Sequence, residues 1–392
     1  VANGLFCAKI FGPIKNYCCL CERYKGIKFE DIICEICGVK VTKSIVRREN
    51  MGYINLVYPV VNPLVLLRTN GNIICMILGV SYMELQSIVT LTSYLVLYQG
   101  DSVYKVNQVI SQEEYETQLS VYGFMAETGA VAIENALKKI DMETEINNLK
   151  SQPINQQKKN IKLIKLYEDM LINEIRPEWV VMHKLPVMSA DNRQLKEISP
   201  GQYVSSDLNE LYKVIAYRNN TLETVYDLGI NVDYLLSNGI RCLQKAVNNL
   251  MCAQKKEVNY SQIHQVKKYK SFEEKISGKN GSIRRNKLGK RTDYSARAVI
   301  VVNPECKMDE CFIPRDILIE LLKPQIIFKL KNVGLASSTN MAKKLFDEKI
   351  PMIYEIMSSL LENIFIFLNR QPTLHKYGFL AFRPKASNQN AI

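Results

Sequence analysis

No stretch of this chain is long and apolar enough to cross a membrane. The best candidate, Ile54 to Leu67, is broken by Asn55, Pro59, Asn62 and Pro63. It is also too short for a hydrocarbon core that takes about 20 residues to span. The chain begins at Val1, and no basic region followed by an apolar one opens it, so no secretory signal is expected. No repeat of fixed period runs through it, which excludes solenoid architectures. No Gly-Lys-Ser/Thr closes a phosphate-binding loop. Histidine is scarce. His183 and His264 carry no motif, and His375 reads as a packed structural residue rather than a catalytic one. What remains is a soluble protein of a reducing compartment. Its 11 cysteines are then free thiols or metal ligands rather than disulfides.

What is present begins with charge. Lys and Arg number 51 against 39 acids, a formal net charge of +12 in 392 residues. That length allows two or three domains. The basic excess suits an anionic partner, nucleic acid above all. Heavy use of Lys, Ile, Asn and Tyr suits an AT-rich genome, such as that of an endosymbiont or an organelle.

The pattern of apolar residues sketches the organisation. Residues 1–56 form a loop-rich, Cys-bearing basic module. Residues 57–110 mix short apolar runs with turn signals such as Thr69-Asn70-Gly71-Asn72. Residues 112–175 read as helices, with Ala130, Ala132, Ile133, Leu137 and Ile140 on one face and Ile161, Leu163, Ile164, Leu166 and Leu171 on another. Pro153 breaks them apart. Trp179–Val187 reads as a buried strand and 188–204 as a polar loop. Ser206-Asp207 is expected to cap a helix with Leu208, Leu211, Val214 and Ile215 on one face. This helix opens an antiparallel hairpin ending near Leu250, with its tip in the Gly229–Gly239 region. A polar, basic loop is expected over 251–271 and a strand over Ala298–Val302. Helices are expected over 314–331, 339–347 and 351–364.

Two segments carry chemistry. Cys18, Cys19, Cys21, Cys34 and Cys37 cluster within a short span. Two close pairs of thiolates on facing turns suit a tetrahedral Zn²⁺ site with no position left open for substrate, so the role is structural. Cys34 and Cys37 make one pair. The other is either Cys18 with Cys21 or Cys19 with Cys21. Cys7, Cys75, Cys242, Cys252, Cys306 and Cys311 are scattered and read as core residues or surface thiols. The second segment, residues 278–297, contains seven Lys or Arg and a single acid, Asp293. Glycines at 278, 281 and 289 let such a loop bend to a phosphate backbone without reading bases. Taken alone, it also fits a solvated charged run.

This segment resembles the switch region of the β′ subunit of bacterial-type RNA polymerases, which ends in Gly-Lys-Arg-Val-Asp-Tyr-Ser-Gly-Arg-Ser-Val-Ile. The resemblance continues in order along nearly the whole chain. Gly4-Leu5-Phe6-Cys7 and Ile10-Phe11-Gly12-Pro13 are similar to the family's segment before its zinc ribbon. Ile33-Cys34 through Thr42, then Val46-Arg47-Arg48-Glu49 to Gly52, resemble the ribbon and its exit. Pro177-Glu178-Trp179 and Leu185-Pro186-Val187 resemble the strand before the lid loop. Ser206-Asp207-Leu208-Asn209, Tyr212 and Arg218-Asn219-Asn220 resemble the start of the clamp coiled coil. Asn369-Arg370-Gln371-Pro372-Thr373-Leu374-His375 is similar to the family's Asn-Arg-Ala-Pro-Thr-Leu-His.

The resemblance implies an α+β multidomain fold. It would comprise a zinc ribbon with flanking clamp (1–56), a clamp core with helical segment and lid (57–205), a clamp coiled-coil hairpin with a rudder-like loop (206–272), and a switch region leading into a double-psi β-barrel (273–392). It implies Zn²⁺ on Cys19, Cys21, Cys34 and Cys37, template DNA facing Lys279, Arg284, Arg291 and Arg297, and a σ factor on the hairpin near Arg218 and Arg241. Arg370 would lie beside the ribose of the incoming nucleotide, with Pro372 stiffening its loop. The implied partners are β, the α dimer, ω, the remainder of β′, σ, template DNA and RNA, in a bacterial cytoplasm and nucleoid or an organelle matrix or stroma. The family's catalytic Mg²⁺ ions sit on an Asn-Ala-Asp-Phe-Asp-Gly-Asp motif that residues 1–392 do not contain. The isolated chain is therefore expected to be inactive, as a fragment or a split-gene product. The other readings are a stand-alone zinc-containing DNA-binding protein and an inactive gene fragment. The sequence departs from the family at Ser282 (usually Arg), Ala296 (usually Gly), Gln371 (usually Ala) and Gly239, where an acid is common.

Overall fold

The computed structural model describes residues 2–151, 153–229, 233–252, 269–348, 350–388 and 391–392. Mixed α and β elements divide into two units, Val1–Lys287 and Leu288–Ile392. In the first, strand β1 (Gly52–Val61) takes up much of the long apolar run. Asn62 ends it by capping the turn Pro63–Leu66, its side chain accepting from the Leu64 N–H. Strands β2 (Ser93–Tyr98), β3 (Val109–Ser111) and β4 (Met125–Glu127) form a small antiparallel sheet with β2 in the centre. Strand β5 (Val181–Val187) pairs antiparallel with β1, Gly52 opposite Val187 and Val61 opposite Val181, with a register break between Asn55 and Val60.

The helical expectation for 112–175 holds as four helices, Gln112–Gln118, Gly129–Lys138, Met142–Ser151 and Ile154–Ile172, interrupted by β4. Ala130, Ala132, Ile133 and Leu137 are buried against Leu66, Ile74, Leu85, Ile88 and Leu95. Ile161, expected on a buried face, is exposed, while Ile164 and Tyr167 are buried. Trp179 also departs from expectation. It sits on the short turn Pro177–Val180 and is exposed, and β5 buries only Val181, Leu185 and Val187. The expected polar loop over 188–204 contains a turn, Ala190–Arg193, and a hairpin of β6 (Lys196–Ser199) and β7 (Gln202–Val204).

The helices Asp207–Asp227 and Asp233–Met251 form the expected antiparallel pair. Arg218 meets Cys242 and Leu222 meets Gly239, so the two chains run in opposite directions. Gly239 therefore lies inside the second helix and not at the tip. A Cβ there would stand 2.9 Å from Leu222 Cδ1. The inner face is Leu208, Tyr212, Ile215 and Leu222, packed with Leu243, Val247 and Leu250 on β1, β5 and Phe11, whereas Val214 is exposed. Ser206 occupies the N-cap position without capping. Its Oγ instead accepts from Lys275 Nζ at 2.8 Å. Most of the loop expected over 251–271, with His264, lies outside the described residues.

In the second unit, strand β8 (Glu310–Pro314) runs parallel to β10 (Phe379–Ser387), and β9 (Ile366–Asn369) is antiparallel to β10, giving the order β8-β10-β9. The helix expected over 314–331 is two helices, Arg315–Leu321 and Lys323–Asn332. The break falls where Pro324 cannot donate an N–H. Leu318, Ile319, Leu322, Ile326 and Leu330 still face one core with Phe346, Ile353 and Met357. The other expected helices appear as Thr339–Asp347 and Pro351–Leu361. Ala298–Val302 is not part of any strand ladder described.

Candidate metal centre and loop sites

Two tight turns build the cysteine site. The Cys19 N–H bonds to the Tyr24 carbonyl at 3.1 Å, and Cys18 bridges to Lys25 across the same turn. In the second turn the Cys34 N–H bonds to Val39 at 3.1 Å, and Gly38, at φ +65°, closes back on the Cys34 carbonyl at 2.7 Å. A left-handed residue is needed there, and glycine takes it without strain. The turns bring the Sγ atoms of Cys19, Cys21, Cys34 and Cys37 within 4.8 Å of one another. Cys21 Sγ lies 3.5 Å from both Cys19 and Cys34. Four thiolates around one Zn²⁺ at about 2.3 Å sit about 3.8 Å apart, so the set fits a tetrahedral ion. Cys18 is not part of it, and its thiol bonds the Cys19 carbonyl.

The electrostatics suit a cation. At Cys37 burial opposes ionisation, but backbone hydrogen bonds at Cys21 and Val39 and the neighbouring thiols overcome it and lower the pKa to about 6. At Cys21 a backbone hydrogen bond at Arg23 favours the thiolate, yet the Cys34 and Cys19 sulfurs push it up to about 12. Sulfurs this close cannot all ionise without a positive charge between them. Among the described residues this is the one group of three or more Cys, His, Asp or Glu arranged to hold a metal, so no carboxylate cluster for Mg²⁺ accompanies it there.

The basic segment is open to solvent at Lys279, Arg284, Arg291 and Arg297. The first two lie in the first unit and the last two in the second. Residues Ile283–Lys287 form one wide π-type turn. The Arg370 loop links β9 to β10. The Arg370 N–H bonds the Gly378 carbonyl at 3.1 Å, Thr373 Oγ1 donates to Asn369 Oδ1 at 2.8 Å, and the Gln371–Pro372 peptide is cis. One backbone bond and one side-chain bond thus tie the loop, and the exposed Arg370 guanidinium has no hydrogen-bond or ion-pair partner among the described residues. On the hairpin, Arg218 Nη1 donates to the Cys242 carbonyl at 2.6 Å and Arg241 Nε to the Thr90 carbonyl at 2.5 Å. Both arginines thus brace the fold. His183 pairs with Glu134 at 3.0 Å, and His375 packs edge-on against Tyr377.

Arg193, Asn219 and Gln244, none of them given a site role by the sequence, organise the first unit. Arg193 is fully buried. Its Nε donates to the Met188 carbonyl at 2.8 Å, Nη1 to Asn209 Oδ1 at 3.0 Å and Nη2 to the Leu5 carbonyl. The rings of Phe6, Phe11 and Tyr212 surround it. Asn219 accepts from the Val57 N–H and donates to the Asn55 carbonyl, and Gln244 does the same for Val61 N–H and C=O. Asn219 thus supplies a peptide-like partner to β1 where its pairing with β5 is interrupted, and Gln244 does so at Val61, beyond the break.

Sequence comparison identifies the family. The family profile described as RNA polymerase Rpb1, domain 1, matches residues 1–287, and the one described as RNA polymerase Rpb1, domain 2, matches residues 289–345. The chain belongs to the RNA polymerase Rpb1 family. It is 38% identical over 397 residues to the DNA-directed RNA polymerase subunit beta′ of Acinetobacter baumannii (strain AYE), and 38% identical to that of Cellvibrio japonicus. Identity to the subunit of Rickettsia bellii (strain RML369-C) is 37% over 400 residues. In each case all of this chain is covered, and it spans 28–29% of the relative's length. Within the Rpb1 family it corresponds to the amino-terminal region of a β′ subunit. Among the described residues no helix is long and apolar enough to cross a membrane.

Proposed function

We propose that this chain holds template DNA and positions the incoming nucleotide as one part of a DNA-directed RNA polymerase. The observation that carries the reading is similarity over the full chain to proteins named as beta′ subunits of that enzyme. The cysteine module is a zinc ribbon with Zn²⁺ on Cys19, Cys21, Cys34 and Cys37. The metal fixes the fold of a module with little core of its own. Residues 57–272 act as a clamp whose coiled-coil hairpin receives a σ factor around Arg218 and Arg241. Residues 273–392 form the switch region and lead into the double-psi barrel. Lys279, Arg284, Arg291 and Arg297 neutralise template phosphates, a contact that weakens as salt rises. The partners are β, the α dimer, ω and the remainder of β′, in a bacterial cytoplasm or an organelle.

Arg370 is the nucleotide contact. A loop tied at Arg370–Gly378 and Asn369–Thr373 presents a free planar fork of donors, which suits the hydroxyl oxygens of a ribose, and Pro372 limits the loop's motion. Phosphodiester formation also needs charge neutralised at the attacking and leaving oxygens. Arginines alone do not supply that, so the isolated chain is inactive. In a reconstituted enzyme, Arg370→Ala should raise the nucleotide KM and weaken discrimination against 2′-deoxynucleotides by roughly ten- to a hundredfold, the loss of one charged hydrogen bond. Unchanged nucleotide kinetics would remove Arg370 from this role. RNA synthesis by the 392-residue chain alone with Mg²⁺ and template would overturn the scheme.

A further inference from the structure

The sheet β3-β2-β4 of the first unit ends in an apolar surface that the unit's own cores leave uncovered. Tyr98, the last residue of β2, stands opposite Met125 of β4, and both are exposed, at 53% and 43%. Beyond them the two chain segments stay together. A Cβ at Gly100 would collide with the Tyr122 carbonyl and Gly123, and the Asp101 N–H bonds the same Tyr122 carbonyl at 3.1 Å. Tyr122, 87% exposed, and Val103, 91% exposed, therefore stand on adjoining turns. Leu119, 62% exposed, ends the helix Gln112–Gln118 one turn after Glu116. The base of the surface is packed. Tyr115 of that helix stacks on Tyr94 of β2 with ring centroids 4.0 Å apart, and Val96, Ile110 and Ala126 fill the small core beside them. The charge here is the reverse of the chain's. The whole carries +12, yet residues 69–137 contain seven acids and a single base, Lys105. Asp101 lies between Tyr98 and Val103, and Glu113 and Glu116 are exposed on the helix that leads into Leu119 and Tyr122. Lys138 and Lys139, which follow, are already engaged. Lys138 pairs with Glu134 at 2.6 Å, and Lys139 donates to the Leu97 carbonyl at 3.0 Å with its Nζ 3.2 Å from the Tyr98 ring centroid.

We propose that the surface of Tyr98, Val103, Leu119, Tyr122 and Met125 is a docking site for a basic amphipathic segment of a separate protein. The segment's apolar side chains cover the tyrosines, and its Lys or Arg side chains meet Asp101, Glu113 and Glu116. Charge selects this occupant. Nucleic acid suits the basic segment at 278–297, but its phosphates are repelled by acids. A second copy docking through the same surface would set acid against acid, because a two-fold contact places each patch on its own equivalent. In the proposed contact, aromatic side chains supply the buried area, and the acidic rim sets the sign of the partner and speeds its arrival. The inference does not depend on the proposed role in RNA synthesis.

The probe is a synthetic amphipathic helix built of leucine and lysine alone, titrated into the 392-residue chain with backbone hydrogen exchange as the map. It should bind with a Kd below about 100 μM, slow exchange within 98–125, and bind more weakly as salt rises. Tyr122→Ser with Val103→Ser should weaken binding by about tenfold or more. Glu113→Lys with Glu116→Lys should weaken it by about fivefold or more. All four positions are exposed, so both variants should keep the parent's far-UV circular dichroism. Val302→Ser, at a 94% exposed site in the other unit, should bind as the parent does. The same helix written in leucine and glutamate should leave 98–125 unprotected, and so should duplex DNA. Absence of binding, protection only outside 98–125, or an affinity that neither double variant moves would overturn the inference. Equal protection of 98–125 by the leucine–glutamate helix or by DNA would overturn it as well. A concentration-dependent dimer of the chain alone, with 98–125 protected, would overturn it in favour of a second copy.

Discussion

Arg193 gives the sharpest test of how the first unit is held together. Its guanidinium joins the amino-terminal segment at Leu5, the exit of β5 at Met188 and the start of the hairpin at Asn209. No carboxylate pairs with it among the described residues, and the nearby Arg47 cation adds to the burial that pulls its pKa down. The cation is therefore stabilised by neutral oxygens and three ring faces alone. Replacing it with Ala leaves three buried acceptors without a donor, at about 1–3 kcal/mol each. Relief of the guanidinium's desolvation offsets several kcal/mol of that. Lost contact with Phe6, Phe11 and Tyr212 adds about 0.5–1 kcal/mol for each ring. The balance is a loss of about 3–5 kcal/mol, a large part of the roughly 5–15 kcal/mol that holds a domain together. Urea unfolding followed by far-UV circular dichroism and by the single tryptophan, Trp179, reads this unit. Arg193→Met separates the two contributions. It keeps an apolar stem against the rings but strands the same acceptors, so it should lose nearly as much as Ala. An Arg193→Met protein within about 0.5 kcal/mol of the parent would show that packing, and not the hydrogen-bonded fork, joins the three segments.

Cys34→Ser should abolish zinc binding measured by metal analysis, while Cys18→Ser retains about one ion per chain; zinc lost from the Cys18 variant instead would move the first ligand to that position. Gly239→Ala should stay within about 1 kcal/mol of the parent, since the gain in helix propensity offsets a small shift of Leu222. Gly239→Val should cost about 1–3 kcal/mol through overpacking between the two helices, and a neutral valine would disprove the close approach. Glu134 is buried, which by itself raises its pKa, but bonds from Lys138 and His183 overcome this and hold it below the usual glutamate value. A depressed carboxylate stabilises the fold above its unfolded pKa, and that contribution is lost as pH falls through the folded value. Glu134→Gln should therefore flatten the fall in stability below about pH 5, and an unchanged slope would mean the two cations do not act on it.

What the sequence made legible follows from how locally each feature is determined. The four thiols come from two turns whose geometry is set by a few adjacent residues, so spacing alone exposed the cluster, though not which of Cys18 and Cys19 enters it. The helical faces around Ile133 and the hairpin follow from periodicity. Features that depend on distant partners were hidden. Arg193 lies in what reads as a polar loop, and only folding brings Leu5 and Asn209 to it. Ser206 is a competent cap that finds Lys275 instead. Ala298–Val302 has strand composition but no described strand, because β-branched composition reports a backbone preference and not a pairing partner.

The triplet Arg218-Asn219-Asn220 shows why a family motif mixes fold with function. Successive helical residues are about 100° apart, so three of them sweep about 200° and cannot all face one partner. Arg218 reaches sideways to the Cys242 carbonyl of the second helix, Asn219 turns inward to the Asn55 carbonyl and the Val57 N–H of β1, and Asn220 is exposed. The inward amide has a physical reason that involves no ligand. Between Asn55 and Val60 the β1–β5 register slips, and a buried strand that loses a rung must find other partners. An amide side chain carries the same donor and acceptor as a peptide, which is why Asn219 serves there and why Gln244, one helix later, serves Val61 just beyond the break. Substituting Asn219 would thus remove one tie between the hairpin and β1 whatever binds outside. The exposed Asn220 and the tyrosines at 217 and 234 are the positions where a docking partner can be tested without disturbing that anchor.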